Sequence, residues 1–122
     1  MDMTLKAIEL RIGNYYQENG TYYKVAPDDI TNLIRCEASK TKSDMQPIPL
    51  TEEILMKNGF IKNKYKETYD SYSLNGYRII NDKNEYEFLI YGSSVIIAKL
   101  YSLHQLQNLY FDLTQKELEV KL

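Results

Sequence analysis

The sequence predicts an α+β fold: a curved antiparallel meander with a short helix in its middle, a longer C-terminal helix packed on it, and a final edge strand. Three observations carry this. Period-two alternation recurs between turn signals, as in residues 85–91, where Tyr86, Phe88 and Ile90 face one way and Glu85, Glu87 and Leu89 the other. Two stretches open on good helix caps, Thr51 and Ser102. After Ser102, the apolar residues Leu103, Leu106, Leu109, Tyr110 and Leu113 recur at helical spacing.

In chain order, residues 9–26 read as a hairpin. Leu10 and Ile12 alternate with Arg11 and Gly13, and Tyr22, Lys24 and Ala26 alternate with Tyr23 and Val25. Glu18-Asn19-Gly20 supplies the positive-φ residues of a tight turn. After Pro27-Asp28-Asp29, a third strand is expected over 30–38, with Ile34, Cys36 and Ala38 on one face and Leu33, Arg35 and Glu37 on the other. Residues 39–46 are polar and read as a surface loop. Pro47-Ile48-Pro49-Leu50 forms an extended lead-in, because proline fixes its own φ and disfavours helix in its predecessor. Thr51 then caps a helix over 52–58. Glu52 and Glu53 complement its dipole, Leu50 and Leu55 staple the cap, and Gly59 ends it.

From 60 to 98 antiparallel strands follow one another, with turns at Asn75-Gly76 and Asn81-Asp82-Lys83-Asn84. Gly92-Ser93-Ser94 leads into 95–100, which is apolar at nearly every position and is therefore placed centrally in the sheet. Ser102 and Gln105 form a capping box for the last helix. Beyond Thr114-Gln115-Lys116, Leu118, Val120 and Leu122 alternate with Glu117, Glu119 and Lys121, the pattern of an edge strand with a charged outer face. No repeat, heptad array or linker divides the chain, so residues 1–122 are read as one domain.

Composition narrows the function classes. Fifteen basic side chains stand against 17 acidic ones, which leaves no global basic excess for duplex nucleic acid. Cys36 is the only cysteine, so no internal disulfide forms. The longest apolar run, Val95-Ile96-Ile97-Ala98, falls far short of the roughly 20 residues that span a bilayer. Residues 1–4 show no secretory pattern, and a cytoplasmic location without membrane attachment is expected. Twelve tyrosines, three phenylalanines and no tryptophan suit half-buried strands; the same rings also suit recognition surfaces.

Two groups of residues stand out as ligand- or partner-binding candidates. His104 shares a helix face with Gln107, Asn108 and Phe111, where an imidazole, two carboxamides and a ring can hold a planar ligand or brace neighbouring loops. The run from Lys57 to Lys66 contains no acid and sets Lys62, Lys64 and Lys66 beside Tyr65 and Tyr69. Single-stranded nucleic acid and phosphorylated nucleotides want that mixture, and so does a lysine-guarded strand edge. No catalytic set emerges. His104 has no acid or nucleophile in sequence reach, Asp112 is rotated off its face, and Cys36 is expected to point inward. One histidine and one cysteine make no zinc shell, and five glycines form no phosphate loop, so no metal or cofactor is predicted.

Three blocks in order carry a family resemblance. They are Glu9-Leu10-Arg11-Ile12-Gly13-Asn14, then Pro47-Ile48-Pro49-Leu50-Thr51-Glu52-Glu53 with Lys57 and Gly59-Phe60, then His104-Gln105-Leu106-Gln107-Asn108-Leu109-Tyr110-Phe111 with Leu113-Thr114 and Glu117-Leu118. Together they resemble a family of short proteins from Bacteroidetes-type bacteria and their phages and prophages. Ile54 and Asn58 stand where that family commonly has bulkier aromatics. The family has no established activity, so the resemblance carries over no catalytic residue. It implies an accessory protein of mobile-element origin in the host cytoplasm. The expected function is a non-enzymatic, anti-defence type of binding that occupies a host protein or sequesters a nucleotide-type small molecule. The alternatives are a single-stranded nucleic-acid module using 57–69 and a small hydrolase using His104. The last strand and the tyrosine-rich faces also offer surfaces for a homo-oligomer.

Overall fold

The computed structural model describes residues 5–66, 68–83 and 85–122, with the backbone alone at Tyr65. Residues 1–4, Asn84 of the expected turn and the Tyr65 side chain lie outside the described part. The fold is α+β, with a two-stranded sheet, a five-stranded antiparallel meander and three α-helices. The chain divides into two compact units, one holding 5–49 and 102–118 and the other 50–101 and 119–122.

In the first unit a short 3-10 turn, Ala7–Glu9, precedes strands β1 (Tyr15–Glu18) and β2 (Thr21–Lys24). They pair antiparallel around Asn19 and Gly20, both at positive φ (50° and 80°), as the sequence predicts. The first strand starts later than expected because residues 11–14 turn. The Asn14 amide donates to the Arg11 carbonyl at 3.0 Å, and Gly13 takes φ +95° at the third position, where only glycine is unstrained.

The expected strand over 30–38 is instead helix α1, Pro27–Ser39. Start signals outweigh the alternation: Pro27 occupies the first turn, and the Asp29 carboxylate accepts from the Ala26 amide at 2.8 Å. Ile30 and Leu33, at i and i+3, then face the core, while Cys36 is only half-buried. Leu5, Leu10, Tyr16, Val25, Leu33 and Met45 form that core, with Ala7 and Ile30 packed against it. Each fully buried residue of this size contributes about 1.5–3 kcal/mol relative to exposure.

Helix α3, Leu103–Thr114, completes this unit. Gln105 Oε1 accepts from the Ser102 amide at 3.3 Å, and a left-handed Gln115 (φ 60°) ends the helix. Leu103, Leu106 and Tyr110 are buried, but Leu113 is exposed, so the apolar stripe is narrower than read. Within its own unit α3 lies against β1.

The second unit begins with α2, Glu52–Lys57, where Thr51 Oγ1 accepts from the Ile54 amide at 3.2 Å. Leu50 and Leu55 are both buried, as the expected staple requires, and Gly59 (φ +89°) follows the C-cap. Strands β3 (Ile61–Tyr65), β4 (Tyr69–Leu74), β5 (Tyr77–Asp82), β6 (Glu85–Ile90) and β7 (Ile96–Leu100) pair in that order. Asn75 and Gly76, both at positive φ, make the tight turn between β4 and β5. Tyr72, Ile79 and Phe88 lie opposite one another on successive strands and are all but inaccessible, which fixes the register of the sheet centre.

Two expectations fail in this unit. The apolar segment 95–100 is not central: β7 is an edge strand, and Val95, Ile96 and Ile97 are 70, 45 and 39% exposed. The end of the chain, 119–122 in this unit, forms no strand. Its backbone is held by the Asn58 carboxamide, which accepts from the Lys121 amide at 2.5 Å and donates to the Lys121 carbonyl at 3.1 Å. A carboxamide carries the donor and acceptor of a peptide group, so one side chain replaces a neighbouring strand. Among the described residues, no helix is long and apolar enough to cross a membrane.

Candidate functional site

The polar face of α3 meets the segment from Glu9 to Tyr15, and every candidate on it is engaged there. Gln107 is buried; its Nε2 donates to the Gly13 carbonyl at 3.2 Å and its Oε1 accepts from the Tyr15 amide at 2.9 Å. Asn108 Nδ2 donates to the Glu9 carbonyl at 2.8 Å. Its Oδ1 accepts from Arg11 Nε at 2.8 Å and from Asn14 Nδ2 at 2.9 Å. Asn14, itself buried, also accepts from the Arg11 amide at 2.7 Å. The Arg11 guanidinium lies 4.6 Å from the Phe111 ring centroid and pairs with Glu117 at 3.0 Å. The carboxamides thus supply an irregular segment with the bonds that a neighbouring strand would otherwise give.

His104 sits at the start of the same face with 2% exposure. Its Nδ1 lies 3.0 Å from Ser102 Oγ, and its Nε2 lies 3.2 Å from Glu9 Oε2. Burial pushes its pKa below the ordinary 6.5, and the Glu9 carboxylate works in the opposite direction without prevailing. The contact to Glu9 at neutral pH is therefore a hydrogen bond of a neutral imidazole. A carboxylate can only accept, so Nε2 carries the proton and Ser102 donates to Nδ1. Acid, imidazole and hydroxyl stand in line, an arrangement the sequence reading missed because Glu9 and His104 are 95 residues apart. Acyl transfer needs more than this order, since a nucleophile must meet a carbonyl beside an oxyanion site. Ser102 is 2% exposed at the helix cap, and only Glu9 reaches the surface.

The lysine run has a different surround. Lys62 pairs with Glu52 and lies 3.9 Å from Asp70, Lys64 reaches Asp70 at 2.7 Å, and Lys57 pairs with Glu53 at 3.0 Å. Tyr72 donates to Glu52 at 3.0 Å. Hydrogen bonds from Lys62 and Tyr72 hold the Glu52 carboxyl below its usual range, and Lys64 does the same for Asp70. Burial, then Glu52, pushes the Tyr72 phenol well above its ordinary value. Acids that are absent from the run itself arrive from α2 and β4. Lys66 follows β3 and Tyr69 opens β4 opposite Tyr65, while at Lys57, Lys62 and Lys64 the basic stripe is interleaved with carboxylates.

Among the described residues, no group of three histidine, cysteine or acidic side chains is placed to hold a metal. Comparison with protein families, with curated proteins and with solved structures gives no match to this chain.

Proposed function

We propose that this protein works by binding another protein, without bond-breaking, through the apolar edge made by β7 and the end of β6. One observation carries the reading: a run with the composition of a central strand lies on the sheet's rim. Val95, Ile96 and Ile97 are exposed there, and so are Ile90 (53%) and Tyr91 (56%). An uncovered apolar edge invites association, and edges that must stay free carry charge. The opposite edge, β3, shows that second design with Lys62 and Lys64. A register shift between Phe88 and Leu89 gives β7 an extra residue, which breaks alternation and leaves Ile96 and Ile97 exposed together. The partner is thus read by an apolar ridge of side chains more than by a continued ladder. Resemblance to mobile-element accessory proteins favours a host protein as that partner.

The test is affinity capture from host lysate with the wild type, with Val95→Glu/Ile97→Lys and with Lys64→Gln as the control. A protein held by the wild type and the control but lost by the double variant, at unchanged melting temperature, supports the reading. If no captured protein distinguishes the double variant from the control, the reading fails.

A second reading draws on the Glu9–His104–Ser102 line, which is the order a hydrolase uses. A fluorophosphonate probe that labels Ser102 in the folded protein would establish it. The burial of both Ser102 and His104 predicts no labelling.

A further inference from the structure

A groove in the first unit, of about 380 Å³, runs between β1 and the segment from Lys42 to Pro49. Ligand pockets begin at roughly 300 Å³, so it suits a small molecule. The frame is fixed before any ligand arrives. Gln17 and Gln46 exchange both backbone hydrogen bonds, at 2.9 and 2.8 Å. Gln17 Nε2 also donates to the Pro47 carbonyl at 2.8 Å, and an isolated bridge joins Pro49 to Ser102. Two prolines in three residues stiffen the wall further.

The lining combines two chemistries. Met45, Pro47 and Pro49 give apolar faces of the kind that pack on a flat ring. Lys42, Ser43, Gln46 and Gln17 give polar groups, and most of these are unspent. Lys42 has no ion pair or hydrogen bond among the described residues, unlike Lys57, Lys62, Lys64 and Lys99, which all pair with acids. The Gln46 carboxamide and Oε1 of Gln17 are likewise without partners among them. Ser43 Oγ accepts from the Met45 amide at 3.1 Å and keeps its proton to donate.

We propose that this groove binds a flat heterocycle carrying one anionic group, of the nucleoside monophosphate class. Lys42 and the Ser43 hydroxyl hold the anion. The carboxamides of Gln46 and Gln17 read donors and acceptors on the ring edge, and Met45 with the prolines covers its face. None of these residues belongs to the β7 edge, so this site and the proposed docking surface stand or fall separately.

Isothermal titration of the full chain with AMP, UMP, the matching nucleosides and inorganic phosphate tests the site. Binding of a monophosphate is expected to weaken about tenfold in Lys42→Gln, the loss of one charge-assisted contact. Gln46→Ala should weaken both the monophosphate and its nucleoside, and Lys64→Gln should change neither. Lys42 and Gln46 are exposed, so the variants keep the fold, which a melting curve checks. Failure of the wild type to bind any monophosphate at millimolar concentration overturns the proposal. Binding that survives both Lys42→Gln and Gln46→Ala overturns it too, and phosphate alone matching the monophosphates overturns the ring-binding half.

Discussion

Two polar clusters, both conspicuous in the sequence, end in opposite physical situations. On α3 the imidazole and Gln107 are buried and Asn108 is half-buried, and all three are bonded to an irregular segment. The lysines on β3 are partly or largely exposed and bonded to carboxylates across a strand and from a helix. Burial decides what each group does for the fold. A buried carboxamide that is removed strands its partners without water, whereas an exposed ion pair that is removed returns both ions to solvent. The first cluster is expected to hold the protein together, and the second to shape its surface.

The sharpest way to break this contrast is Asn108→Ala. It removes the side chain that joins the Glu9 carbonyl, Arg11 and Asn14, and should cost about 3–4 kcal/mol in urea denaturation. That is a large part of the 5–15 kcal/mol typical of a whole domain. A loss below about 1 kcal/mol would show the network to be ornamental. Gln107→Ala, which orphans the Gly13 carbonyl and the Tyr15 amide, should follow at about 2–3 kcal/mol.

The same rule should reach into the second unit at Asn58, whose carboxamide does the work of a strand. Asn58→Ala should cost about 2 kcal/mol and release the end of the chain. Faster amide exchange at Lys121 in the variant is the specific readout. If that amide exchanges at the wild-type rate, the carboxamide is not what holds it.

His104 sharpens the contrast through pH. Its folded pKa lies below the ordinary 6.5, so the unfolded chain binds the proton more readily. Its contribution is fully present above pH 6.5 and is lost as pH falls from there through the lowered value. Urea midpoints measured between pH 7.5 and 5 should therefore decline in the wild type, and the decline should be smaller in His104→Gln. Equal slopes in the two proteins would mean that the imidazole is solvated.

Much of this fold was legible because its signals are local. Asn19-Gly20 and Asn75-Gly76 state their turns in two residues, and Thr51 and Ser102 start their helices within one. Helix α1 was hidden by the accident that Leu33, Arg35 and Glu37 also alternate, although Pro27 and Asp29 announced a helix start. The surround of α3 was illegible for a different reason. Glu9, Arg11 and Asn14 lie more than 90 residues from their partners, and no periodicity reports a contact of that range. The lysine surround lay between these extremes. The β3–β4 register pairs Lys64 with Asp70, so writing out the hairpin would have supplied the missing acid. The rim position of β7 could not be read, because an apolar run looks the same whether the chain itself or a partner is to cover it.

The exposed cluster should give the smallest effect, and salt should remove most of it. Lys62→Gln and Lys64→Gln each leave a carboxylate that water can solvate, so their urea midpoints should fall slightly at low ionic strength and coincide with the wild type in 1 M salt, where the screening length is about 3 Å. Acid gives an independent check. The Glu52 and Asp70 carboxyls are held below 4.5 and 3.8, so their contribution is present above those values and disappears as pH falls through the lowered ones. Lys62→Gln should flatten that acid limb while leaving the decline between pH 6.5 and 5 intact, since the latter belongs to His104. A Lys62→Gln loss that persists in 1 M salt would mean that the Tyr72–Glu52–Lys62 chain is anchored as firmly as the amides on α3, and exposure would no longer separate the two clusters.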